Sequence, residues 1–425
     1  MRFTKHFSRY LGLPRSIYTL FFAIIVNRLG QFVIPFLALY LTEKLNYSPE
    51  KTGLFMMLAS FAGIPGIFLS GILVDRIGRK RILVLFQFLS ACCFLPCAVD
   101  PSSPVVPWMM ILSVFFAETA QVAHIAMATD LSNNENRKEA FSLIYLGINI
   151  GCAIGPAMAG LLFNSNIRIF FLADTLTTLA SVLLILLFTH ETLPDRKTMD
   201  TVNLSEAHDE KEEKGSIFVI LLKRPFFLCF LVLNLLYIFV YVQHAFSLPL
   251  CLNQLFGEDG PRLYGLIMTV NAVFVVLTST LITMLTRKLS SVVNIAIAGV
   301  LYAVGFGMIF FIKSPVMFVL STVVWTTGEI LSMVNMNVYM AQHSPVSHRG
   351  RFNSVRLLFG RAGMALGPLV MGFVITSSGL RSVWPLVFLI AIVAAAGMFG
   401  LNLLERNRAN GSTAALQSGE EVECG

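Results

Sequence analysis

Six charged residues interrupt the apolar runs of this chain and are the first candidates for chemistry: Arg28, Glu118, Asp174, Glu329, Arg356 and Arg361. A charge at lipid depth costs roughly 2.5 to 3.5 kcal/mol on insertion scales, so such groups normally face protein or a water-filled cavity. A carboxylate placed there can take two forms, because desolvation favours the neutral acid while a nearby guanidinium favours the anion. Arg28 and Glu118 both fall near the middle of their apolar runs and are expected within reach of one another. They would form either a permanent ion pair or a pair switched by a proton. Glu329 has Arg361 as its one evident partner, and Asp174 falls towards the end of its run, where a structural acid is expected. His124 and His244 are expected as hydrogen-bonded packing residues, with proton carriage as the alternative. Tyr237 and Tyr241, with Met333 and Met336, add aromatic and thioether surface of the kind that adapts to varied apolar solutes.

The elements that position these residues follow from composition. Of 425 residues, 56% are hydrophobic and 13% charged, with a mean hydropathy of +0.75. That places the chain in a membrane. A spanning helix needs about 20 apolar residues, and on that basis twelve are expected, over 16–42, 50–74, 81–99, 105–130, 139–163, 167–190, 226–252, 262–286, 291–312, 316–341, 351–377 and 383–404. Lys and Arg concentrate on the side that carries the N-terminus, so both termini are expected to be cytoplasmic. The stretch 191–225 contains E-A-H-D-E-K-E-E-K and no apolar period, which predicts a flexible solvated linker. It divides a first six-helix bundle, 1–190, from a second, 226–404, and the polar segment 405–425 is expected to be a disordered cytoplasmic tail. The fold class is therefore all-α, with twelve transmembrane helices in two pseudo-symmetric six-helix bundles.

Two patterns of glycine and charge carry more than hydropathy. Between the second and third spans lies G-I-L-V-D-R-I-G-R-K, Gly71 to Lys80, whose Gly71, Asp75, Arg76, Gly78 and Arg79 sit at offsets that suit a tight helix-to-helix turn. Gly71 would admit a close neighbour and Gly78 would take the positive φ of the turn. The second pattern is a repeat. One interval, about half the chain, separates Arg137 from Arg349, Gly151 from Gly363, Gly155 from Gly367, Pro156 from Pro368 and Gly160 from Gly372. Gly53 and Gly265 share it. The copy of the hinge is altered, with Arg287 and Lys288 at the places of Asp75 and Arg76. Small residues at this spacing serve close packing of helices, with a bend at each proline.

The ten-residue hinge resembles the signature loop between the second and third helices of the major facilitator superfamily. Duplicated six-helix halves around a central cavity are the architecture of that family. The resemblance implies a cavity lined by the first, fourth, seventh and tenth spans, where Arg28, Glu118, His124, His244 and Glu329 all lie. It also implies that Asp75 faces the N-terminus of the eleventh helix and that Arg79 pairs with Asp130, holding the cytoplasmic side closed. The Gly151-x-x-x-Gly155-Pro156 run resembles an antiporter motif, although Ser142 and Ala159 replace two of its glycines. Exporters of this type often carry an arginine in the fourth helix, and Glu118 stands at that position here. The expected function is proton-coupled efflux of lipophilic small molecules across a bacterial inner membrane, by a monomer. Proton-coupled import of a sugar, peptide or other nutrient is the alternative, and a non-transporting receptor or assembly factor is the alternative of another class. Expected partners are a small-molecule substrate, protons and the lipid bilayer. The seven cysteines form no disulfide framework, and the sequence offers no metal-ligand set, cofactor fingerprint, Walker loop, nucleophile constellation or nucleic-acid patch. No enzyme activity is expected.

Overall fold

The computed structural model describes residues 12–133, 136–193, 224–343 and 349–423. Most of the expected linker and the basic segment before Gly12 lie outside these. Ten helices among the described residues are long and apolar enough to cross a membrane. One of them, the 62-residue stretch Pro225–Thr286, holds both the seventh and the eighth expected spans. The first expected span is cut into pieces too short to qualify alone. Twelve passes are consistent with this arrangement.

Two compact units are distinguished. The first comprises Met1–Ser205, Val242–Leu277 and Met364–Val383. Its helices start and stop on local chemistry. Ser48 caps the second span, Pro49–Ile77, by accepting from Lys51 N at 3.3 Å, with Pro49 in the first turn. The third follows after Gly78 alone, whose φ of +119° is open to glycine and strained for other residues. It runs Arg79–Cys92 and, after a kink, Phe94–Val99. The fourth, fifth and sixth are Val106–Asp130, Arg137–Ser165 and Ile167–Phe188. A buried cluster that includes Leu20, Ile24, Val74, Ile82, Phe86, Ala123 and Met127 binds the first four spans together.

The glycine repeat is realised as a set of reciprocal backbone contacts in this unit. A Cβ on Gly53 would fall 2.2 Å from Pro368 O, and one on Gly265 would fall 2.2 Å from Pro156 O. Likewise a Cβ on Gly160 would fall 2.6 Å from Pro261 O, and one on Gly372 would fall 2.5 Å from Pro49 O. The second span thus meets the eleventh as the eighth meets the fifth. No side chain larger than hydrogen fits at these crossings without movement of backbone.

The second unit comprises Glu206–Tyr241, Thr278–Gly363 and Trp384–Gly425. Its ninth and tenth spans, Ser291–Gly307 and Pro315–His343, pack with Gly305 against the Trp325 backbone, and Trp325 stacks on Phe306 at 5.5 Å. A Cβ on Gly363 of the eleventh span, Arg349–Ser378, would fall 2.8 Å from Leu235 O of the seventh.

Four expectations need correction. The first span is not one helix: Arg15–Leu29 ends at Gly30, and the chain resumes as Leu37–Leu39 and a π-helical turn Tyr40–Lys44. The seventh is interrupted by a 3₁₀ turn at Val242–His244. The helix of the twelfth span runs from Val383 to Glu423, taking in most of the segment expected to be a disordered tail, where Ala, Leu, Gln and Glu favour helix. Gly71 admits no close neighbour, since no described atom lies within 4 Å of its Cβ position.

Candidate functional site

The break in the first span shapes a cavity of about 200 Å³ in the first unit. The helix ends at Gly30, where Thr177 Oγ1 of the sixth span fills the place of a Cβ, 1.6 Å from where one would be. Beyond it, Phe32 N and Val33 N donate to Asp174 Oδ2 at 3.2 and 3.3 Å. Irregular backbone at lipid depth persists only where its polar groups are satisfied by protein or by a cavity, and Asp174 supplies one such partner. Gly151 and Gly155 bring the fifth span against the end of the same helix, with 2.3 Å to Arg28 Cβ and 2.8 Å to Arg28 O from their Cβ positions. Arg28 donates from a terminal nitrogen to Gln31 Oε1 across the break.

Arg28, Glu118, His124 and Asp174 all line this one cavity, with Asn27, Gln31, Gln87, Gln121 and Thr178 among their polar neighbours. The sequence joined Arg28 to Glu118 by depth, and the fold places both on the same wall space. It missed Gln87 and the role of Asp174. Among the described residues three buried polar atoms on this cavity, Arg28 Nε, Gln87 Oε1 and His124 Nε2, have no hydrogen-bond partner. An unsatisfied buried group costs about 1 to 3 kcal/mol, so the cavity is suited to a polar group that can both donate and accept.

The second unit holds the other expected carboxylate. Tyr241 OH donates to Glu329 Oε1 at 2.7 Å, a partner that sequence reasoning did not name. Tyr302 and Trp325 stand beside Tyr241, at ring distances of 6.0 and 6.1 Å. Tyr237 is a correction. It is 2% exposed and gives its hydroxyl to Ile295 O at 2.7 Å, so it is a packing residue and offers no surface to a solute. Arg356 and Arg361 are half-buried on the eleventh span.

At the hinge, Arg79 is 7% exposed and is the centre of a charged knot. Its Nε meets Asp130 Oδ2 at 2.9 Å, and a terminal nitrogen meets Asp75 Oδ1 at 3.2 Å. The Asp75 side chain is 64% exposed, and its ion pair is with Arg79, one turn along the chain, while Arg76 is exposed. Glu191, which the sequence assigns to the linker, caps the third span: Oε1 accepts from Arg79 N at 2.7 Å and Lys80 N at 3.2 Å, and Oε2 from Arg81 N at 3.3 Å. Burial pushes the Glu191 carboxyl up, but the amides of Lys80, Arg81, Thr192 and Arg79 outweigh this and hold it below the ordinary glutamate range. Lys80 Nζ closes the end of the sixth span by donating to Leu186 O and Thr189 O, each at 2.8 Å.

Comparison with known proteins agrees with this architecture. The profile of the Major Facilitator Superfamily matches residues 20–355 and 260–421. The uncharacterized MFS-type transporter YqjV of Bacillus subtilis (strain 168) is 26% identical over 376 residues, covering 87% of this chain and 88% of its own. The Na(+), Li(+), K(+)/H(+) antiporter of Planococcus maritimus is 21% identical over 365 residues, covering 79% and 84%. The crystal structure of the nucleoside transporter NupG shares the fold, with a TM-score of 0.74 at 15% identity over 91% of this chain and 99% of that one. With a profile match spread over both halves and relatives aligned along most of its length, the chain belongs to the major facilitator superfamily of membrane transporters.

Proposed function

We propose that this transporter is a proton-coupled antiporter that exports small amphipathic solutes, with Glu118 or Glu329 as the coupling carboxylate. The observation that carries the reading is the cavity of the first unit, where Glu118, Arg28 and His124 share one space and three buried polar atoms await partners. Two further features support it: the hydrogen bond of Tyr241 to Glu329 in the second unit, and the glycine-proline run of the fifth span. Its relative from Planococcus maritimus bears the name of a cation/proton antiporter. One charge crossing a membrane potential gains about 2.3 kcal/mol per 100 mV, enough to drive such exchange. A wholly lipophilic solute fits the cavity less well than one with a polar end. The same polar lining favours a second reading, proton-driven uptake of a polar nutrient.

The test uses purified protein in vesicles under an imposed pH difference. Glu118→Gln or Glu329→Gln should abolish concentration of substrate while sparing exchange of labelled substrate at equilibrium. If both variants still concentrate substrate, neither carboxylate couples protons. The sidedness of the pH gradient that drives uptake separates export from import.

A further inference from the structure

Asp174 does more than cap a break. It is 5% exposed, it lines the cavity, and the turn of the sixth span that carries it touches both sides of the interruption in the first span. On the near side, Asn27 Nδ2 donates to Thr178 Oγ1 at 3.2 Å, and Gly30 lies on Thr177. On the far side, Asp174 Oδ2 takes the amides of Phe32 and Val33, the former shared with Gly30 O at 2.7 Å. Arg28 sits between the two, tied across the break to Gln31. One carboxylate oxygen is therefore committed to the backbone, and the side chain as a whole borders a cavity through which a proton can come and go.

The remaining ionisable groups of that cavity are Arg28 on the first span, and Glu118 and His124 on the fourth. The third and fifth spans, which also pack against the sixth, carry the thiols of Cys93, Cys97 and Cys152 and place no charged side chain on the cavity. Enclosure away from water suits the neutral acid, whereas the amides of Phe32 and Val33, both donating to Oδ2, suit the anion. The two influences oppose one another at a single carboxyl.

We propose that Asp174 is a proton-binding site of this cavity and that its protonation loosens the segment between Gly30 and Phe36, and with it Arg28. As the anion, Asp174 accepts charge-assisted bonds from both amides, the stronger class of hydrogen bond. On taking a proton from cavity water at Oδ1 it becomes neutral, a donor as well as an acceptor, and its hold on the amides weakens. One O–H bond forms on the carboxyl as one breaks in hydronium, leaving water, and the reverse transfer restores the anion. This site is independent of whether Glu118 or Glu329 couples transport, since protein without any substrate must show it.

Hydrogen exchange of full-length protein in nanodiscs tests the proposal. As pH is lowered from about 8 to about 4, the Phe32 and Val33 amides of the wild type should exchange at least several-fold faster than the intrinsic pH dependence allows. Asp174→Asn should exchange fast throughout, and Glu118→Gln should keep the wild-type response. A corrected rate that does not change with pH, an Asp174→Asn variant that retains the response, or its loss in Glu118→Gln would each overturn the assignment. Should Asp174→Asn not fold, infrared difference spectra of wild type carrying ¹³C-aspartate decide: a protonated aspartate band rising together with amide exchange supports the site, and exchange that changes without such a band refutes it.

Discussion

The two junctions that the repeat makes equivalent, between the second and third spans and between the eighth and ninth, are held by different forces. At the first, Arg79 joins Asp130 and Asp75 while Glu191 caps the new helix. At the second, Arg287 and Lys288 are exposed, and the work falls to neutral groups. Ser290 caps the ninth span by accepting from Val293 N and donates to Asn402 Oδ1 at 3.0 Å. Asn294 Nδ2 reaches Asn335 Oδ1 at 3.0 Å and Thr286 O at 3.2 Å. The acid near the end of the twelfth span, Glu405, accepts from Tyr339 OH at 2.6 Å and lies 3.8 Å from His343 Nε2. One fold position thus tolerates two solutions, but only the charged one can answer to protons or to a changing field. The duplicated backbone supplies the joint, and the side chains decide whether it can be switched.

Substitutions at the two junctions and at the glycine crossings break or sharpen this contrast. The largest effect is expected from Arg79→Ala, which strands Asp130 and should lower the unfolding free energy by about 3 kcal/mol. At the second junction Asn294→Ala removes neutral bonds and should cost about 1 kcal/mol. Denaturation of the two purified variants measures both, and equal losses would end the distinction. The glycine crossings should behave in the opposite way. Gly53→Ala and Gly265→Ala each force a methyl onto a proline carbonyl, and each should destabilise by about 2 kcal/mol. Agreement between them to within about 0.5 kcal/mol would show that packing kept the symmetry that charge lost.

The smallest change is expected at Glu191. Its carboxyl is held below the ordinary value in the folded protein, so its contribution is complete above about pH 4.3 and is lost as pH falls through the depressed value. Hydrogen exchange at Arg79, Lys80 and Arg81 should therefore quicken in acid in the wild type, after correction for intrinsic rates. In Glu191→Gln it should be faster at neutral pH and lack that transition. An unchanged variant would remove Glu191 from the joint.

Much of this was legible in the sequence because it depends on pattern. Apolar runs gave the spans, the glycine and proline interval marked positions of close helix packing, and Gly78 announced its positive φ. The Arg79–Asp130 pair followed from resemblance. The break in the first span was not legible, since Gly30 and Pro35 also occur within continuous membrane helices. Its cause lies in Asp174 and Thr177, more than a hundred residues away. Glu191 was hidden for a similar reason: an acid following a span reads as solvated linker until the third helix is set beside it. Tyr237 misled because an aromatic on a cavity-lining span can equally face its own bundle.

The glycine crossings also bear on biosynthesis. Gly53 meets a carbonyl at position 368, so its partner does not exist until most of the chain has left the ribosome. At about 5 to 20 residues per second, the second span waits in the bilayer for on the order of tens of seconds before the eleventh arrives. Throughout that time the notch at Gly53 is open to lipid, and the final packing is reached only when the eleventh span displaces it. A nascent chain stalled before position 368 would therefore hold a complete first hinge and an unfilled notch.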